Sequence, residues 1–117
     1  MAIIRTKDVE ATSRFEGVHG KPLINPDTGS GAITMGELTL APGAYLPPHT
    51  HLIEEAFFIF EGKGLTIRNA EEIPVEAGTA ILAETGVAHG FRNNSAAPLK
   101  MVFMYPAVNV KGFFPEK

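Results

Sequence analysis

The stretch His49-Thr50-His51-Leu52-Ile53-Glu54-Glu55-Ala56-Phe57-Phe58-Ile59-Phe60 decides how this chain is read. It opens on two histidines one residue apart, reaches a pair of glutamates and closes on an unbroken apolar run. In an extended strand alternate side chains share a face, so His49, His51 and Glu55 project together if residues 49–60 form one strand. A helix would set His49 and His51 on different flanks. Glu54 falls on the opposite face and is set aside. Further along, His89 opens a second candidate strand, 89–93, and supplies a fourth donor. Three imidazoles and one carboxylate on a β-wall are the side chains of a divalent-metal site.

Around this stretch, nine prolines and twelve glycines punctuate a chain of 117 residues. Between them lie short runs rich in Val, Ile, Phe, Thr and Leu, the pattern of many short strands joined by turns. Strands are predicted at 32–41, 49–60, 62–68, 72–75, 79–83, 89–93 and 99–105. The first thirty residues are mixed, with a short helical turn expected near 6–11. No linker, repeat or charge block divides the chain, so residues 1–117 are read as a single all-β domain, a barrel or sandwich.

Composition removes several function classes. The net charge of -3 and the lack of a basic stripe argue against nucleic-acid binding. No apolar run reaches membrane-spanning length, and the first residues lack the apolar stretch of a signal peptide. Cysteine is absent, so any metal is held by nitrogen and oxygen alone, and a cytoplasmic location is the expectation. The runs 56–60 and 101–105 are apolar on both faces. One face lines the interior and the other needs cover. A homodimer is the preferred source of that cover; the plainer alternative is the N-terminal segment folding over it.

The glycines around the candidate ligands carry a resemblance. Gly43 precedes His49 by five intervening residues, and the series continues through His51 and Glu55 to Gly62. After fifteen more residues come Gly78, Gly86, His89 and Asn93. The segments 43–62 and 78–93 resemble the two motifs of the cupin superfamily, specifically its small single-domain members. The second motif usually has proline where this chain has Glu84, either loosening a turn or letting Glu84 reach toward the barrel mouth. The resemblance implies a small double-stranded β-helix, a jelly-roll barrel of two antiparallel sheets. By position it implies that His49, His51, Glu55 and His89 bind one divalent metal: Mn, Fe, Zn, Ni, Co or Cu. Asn93 and the glycines correspond to turn or strand-end residues.

Strand parity also predicts a pocket around the metal. Phe57 and Ile59 share a face with Glu55, Phe91 accompanies His89, and Tyr45 has the parity of His49, although Pro47 and Pro48 intervene. Met101, Phe103 and Tyr105 form one face of the last strong strand. Tyr45 and Tyr105 are read as packing at the barrel mouth rather than as general acids. Arg92 points away from His89, so a largely apolar cavity with the metal as its polar anchor is expected. Such a site suits a small oxygenated metabolite chelated to the ion. The reading is a metal-dependent enzyme of dioxygenase, decarboxylase or lyase, or isomerase type, with no second catalytic group named. The alternatives are a small-molecule-binding module and a sensor, in which the metal is structural or captures a ligand.

Overall fold

Short β-branched and aromatic runs, each ended by Gly, Pro or Asn, become antiparallel strands in the computed structural model, which describes residues 1–114. In chain order they are β1 (Thr12–Phe15), β2 (Val18–Ile24), β3 (Thr34–Leu40), β4 (Tyr45–His49) and β5 (Glu55–Glu61). Then follow β6 (Lys63–Arg68), β7 (Glu71–Glu76), β8 (Ala80–Ala83), β9 (His89–Arg92) and β10 (Leu99–Tyr105). One sheet has the order β1-β2-β3-β10-β5-β8 and the other β4-β9-β6-β7. The short helical turn near the N-terminus is a single 3-10 turn, Thr6–Asp8.

Alternation along the strands builds the interior. Leu38 and Leu40 of β3, Phe57 and Ile59 of β5, and Met101 and Phe103 of β10 point inward from the six-stranded sheet. Leu46 of β4 and Phe91 of β9 meet them from the other sheet in the same cluster. Each such buried side chain contributes about 1.5–3 kcal/mol relative to exposure. Asn93 is fully buried and joins separate segments, donating from Nδ2 to the Leu40 and Ala97 carbonyls at 2.9 and 2.8 Å. At Gly90 any Cβ would overlap the Leu46 carbonyl oxygen, so glycine allows β4 and β9 to pack closely enough to pair His49 with His89.

Two expectations need correction. Residues 49–60 are not one strand. Pairing shifts register between Leu46 and His49, the chain leaves the four-stranded sheet after His49, and it enters the six-stranded sheet at Glu55. The Pro47-Pro48 pair cannot donate ladder hydrogen bonds, and the segment 50–54 is the crossing between sheets. The N-terminal region also forms strands that the sequence pattern hid. All four residues of β1 are exposed, so the strand carries no period-two signal. The β1–β2 hairpin extends the sheet beyond β3 rather than covering its outer face. Phe58, Phe60, Leu82 and Met104 therefore remain exposed on that face.

Candidate metal centre

Three imidazoles and a carboxylate converge although they come from different elements. His49 ends β4, His89 begins β9, Glu55 begins β5, and His51 lies in the crossing between the sheets. The Gly86 amide donates to the His51 carbonyl at 3.1 Å, tying that crossing to the turn before β9. All four residues are buried, and one donor atom from each can be chosen so that all lie within 4.8 Å of one another. The His49 ring centroid is 4.9 Å from that of His51 and 4.5 Å from that of His89.

Backbone carbonyls orient the rings. His49 Nδ1 faces the Pro47 carbonyl at 2.9 Å, His89 Nδ1 faces the Val87 carbonyl at 2.9 Å, and His51 Nδ1 faces the Lys111 carbonyl at 2.7 Å. Carbonyl oxygens only accept, so each Nδ1 carries a proton and each Nε2 is turned to the shared centre, where those of His51 and His89 face Glu55 and donate to it when they too are protonated. Glu55 Oε1 lies 2.9 Å from His89 Nε2 and 3.2 Å from His51 Nε2. The Tyr105 hydroxyl lies 3.2 Å from His51 Nε2.

Electrostatics divides the histidines. Burial pushes His49 down to about 4, so it is neutral at pH 7. Burial also opposes charge on His51, but the hydrogen bonds to Glu55 and to the Lys111 carbonyl outweigh it and raise its pKa. Glu55 would be raised by burial, yet hydrogen bonds from His51 and His89 hold it below its ordinary value. Burial, followed by the negative charge of Glu55, pushes the Tyr105 phenol far up. The donor set of three imidazole nitrogens and one carboxylate oxygen fits a divalent transition metal, with every Nδ1 already supported by an acceptor.

A cavity of about 600 Å³ opens beside the quartet. Phe57, Phe103 and Tyr105 line it, as do His49, His51 and Glu55. The other expected pocket residues lie elsewhere. Ile59, Phe91 and Met101 are fully buried in the core and do not line the cavity. Tyr45 lies outside, because the register shift at Pro47-Pro48 makes Leu46, not Tyr45, share the inner face with His49. Its ring instead lies 4.3 Å beneath the Arg92 guanidinium. Arg92 also pairs with Glu72, outside the site. Glu84 is exposed, its backbone carbonyl closes the turn to Val87, and it does not line the cavity. The cavity is less apolar than expected, since Arg14 and Asp27 line it. Lys111, Gly112 and Phe114 of the tail also reach the centre, with no motif or periodicity to announce them.

Residues 36–105 match the family described as Cupin domain. The chain belongs to the cupin family. This cupin is 27% identical over 95 residues to the tetracenomycin polyketide synthase protein TcmJ of Streptomyces glaucescens, covering 80% of this chain and 64% of that one. It is 33% identical over 84 residues to a gentisate 1,2-dioxygenase of Ralstonia sp., covering 66% of this chain but 24% of the dioxygenase. The chain thus spans less than two thirds of either relative. Among solved structures, the polyketide cyclase RemF from Streptomyces resistomycificus superposes with a TM-score of 0.87 at 22% identity, over 100% of this chain and 88% of that one. That likeness establishes the shared double-stranded β-helix architecture.

Proposed function

We propose that this cupin holds one divalent transition metal through the Nε2 atoms of His49, His51 and His89 and a carboxylate oxygen of Glu55. We propose further that it is an enzyme acting on a small, oxygen-rich aromatic or enolic substrate. The observation that carries this reading is the convergence of four buried donors whose three Nδ1 atoms all face backbone carbonyls. A bound ion would supply Lewis-acid polarisation of a carbonyl or enol oxygen or, if redox-active, chemistry with dioxygen.

The protein's own groups have distinct parts. Phe57 and Phe103 give the cavity flat apolar walls suited to a ring. Tyr105 stays protonated through the neutral range, so its hydroxyl donates a hydrogen bond to a substrate oxygen and stabilises charge developing there. Arg14 at the cavity wall attracts an anionic substituent. The relatives favour aromatic chemistry: one belongs to a polyketide synthase and one is named for gentisate. The dioxygenase relative makes oxidation of a dihydroxybenzoate the second reading, conditional on iron.

Elemental analysis of protein purified without added metal is the first test. Gentisate with oxygen uptake, and acetylacetone with deuterium exchange at its central carbon, then separate oxidation from Lewis-acid enolisation. Turnover that survives His51→Ala, or less than one metal per active site in the turning-over protein, refutes the proposal. Stoichiometric metal with binding but no turnover of either probe favours the binding module.

The exposed outer face of the six-stranded sheet supports a homodimer. Phe58, Phe60, Leu82 and Met104 are joined there by Val102, which registers with Phe58.

A further inference from the structure

The segment Asn109 to Phe114 lies outside the Cupin domain match, which ends at residue 105, yet it touches the centre three times. The Lys111 carbonyl accepts from His51 Nδ1 at 2.7 Å, across a sequence separation of 60. At Gly112, an added Cβ would lie 3.2 Å from His51 Cε1 and 3.3 Å from His49 Cδ2. The Phe114 ring stacks on His49 at 4.7 Å between centroids and also meets Phe15 at 5.4 Å. Two backbone hydrogen bonds between Thr50 and Phe113, of 2.9 and 2.8 Å, clamp the segment to the crossing that carries His51.

We infer that this C-terminal strap is a positioning element of the metal centre, which fixes the tautomer and orientation of His51 through the Lys111 carbonyl. The inference rests on the proposed metal site. His49 and His89 each face a carbonyl two residues earlier in their own segment, so their orientation is local. His51 has no such local acceptor and relies on the strap. With that carbonyl withdrawn, the His51 proton is free to move to Nε2, where Glu55 and Tyr105 wait, and the lone pair needed by a metal turns away. Phe114 and Phe15 line both the 600 Å³ cavity and a neighbouring cavity of about 990 Å³, so they also form the wall between the two.

Gly112 makes the inference testable in the full-length protein. Its φ is not in the left-handed region, so Gly112→Val is tolerated by the backbone, but its Cβ would crowd the two imidazoles at 3.2 and 3.3 Å and its γ-methyls add to that crowding. The expected response is a shift of the strap that carries the Lys111 carbonyl away from His51. Zinc affinity measured against a competing chelator is expected to fall roughly 10- to 100-fold, the usual effect of losing a partner behind a ligand. Imidazole ¹⁵N shifts of the metal-free protein, recorded at a pH that keeps His51 neutral, are expected to move from the Nδ1–H to the Nε2–H tautomer. Phe114→Ala keeps the carbonyl. It should hold affinity within about threefold and leave the tautomer in place, while zinc is lost to the chelator faster through the opened wall. An unchanged His51 tautomer in Gly112→Val overturns the inference, whether or not affinity falls. Failure of the wild type to bind zinc overturns the metal site alone, because the tautomer shift still decides the strap. If Gly112→Val lowers the thermal midpoint by more than Phe114→Ala does, Gly112→Ala serves instead, with a smaller shift in the same direction.

Discussion

His49 should give the metal-free protein a distinctive acid limb. Its ring is 7% exposed, faces two other imidazoles and is stacked under Phe114. Burial first, and then the nearby His89 and His51, push it from 6.5 down to about 4. The unfolded chain therefore takes up this proton near pH 6.5, whereas the folded protein resists until about pH 4. A base depressed by folding costs nothing above its unfolded pKa, and folded stability is lost progressively as pH falls from 6.5 to about 4. At 1.36 kcal/mol per pH unit, that interval amounts to about 3 kcal/mol. His51 and Glu55 act in other directions. The raised His51 contributes stability present below 6.5 and lost as pH rises through its folded pKa. The lowered Glu55 contributes stability present above 4.5 and lost as pH falls through its folded pKa. Comparing His49→Gln with wild type isolates the histidine. Urea unfolding in the presence of a chelator should show the variant gaining on wild type by about 3 kcal/mol between neutral pH and pH 4. A constant gap between the two proteins, or a His49 resonance titrating near 6.5, would refute the argument that burial keeps this imidazole neutral and ready to bind.

Three further outcomes follow from the same geometry. Zinc at a hundredfold excess over its dissociation constant should add about 2.7 kcal/mol, raising Tm by roughly 10 °C in a scanning experiment. The same scan of Glu55→Ala or His89→Ala should show no such rise, and chelator should reverse it in wild type. Phe91→Ala, at a fully buried position packed edge-on against Phe57 at 5.0 Å, should cost about 3–5 kcal/mol in denaturant unfolding. If the proposed homodimer forms through this face, wild type should show twice the single-chain mass by light scattering and Phe58→Glu the single-chain mass, with zinc affinity intact because its side chain points to the opposite side of β5 from Phe57.

The sequence exposed the quartet more clearly than its scaffold. Spacing alone pointed to His49, His51, Glu55 and His89, and they do lie together. The assumed route was wrong: one strand was expected where two strands in different sheets are joined by a crossing. Parity survives only while the ladder is regular, and the shift at Pro47-Pro48 moved Tyr45 outside. On β5 and β10 the ladder stays regular near the site, so Phe57, Phe103 and Tyr105 reach the cavity. Ile59 and Met101 keep their inward face but lie deeper than the site, and alternation says nothing about depth along a strand. Arg14 and the strap were unreadable for another reason. They reach the centre through long-range contacts made by exposed or irregular segments, which leave no periodic trace.

The arrangement of carbonyls behind the imidazoles separates what is fixed from what is adjustable. Pro47 and Val87 hold His49 and His89 from two residues away, so those rings are set as soon as β4 and β9 pair. Glu55 enters from the opposite sheet, which makes an ion at this point a cross-link between β5 and the β4–β9 pair. His51 belongs to neither sheet, and its ring is set by a carbonyl from the tail. Changes at the inward positions of β4, β5 or β9 therefore disturb core packing and metal binding together, since Leu46, Phe57 and Phe91 share those strands and that face with the donors. Changes in the strap act on His51 and on the exposed side of His49, and spare the core. Tuning of affinity and access at this centre thus falls to the tail rather than to the motif strands.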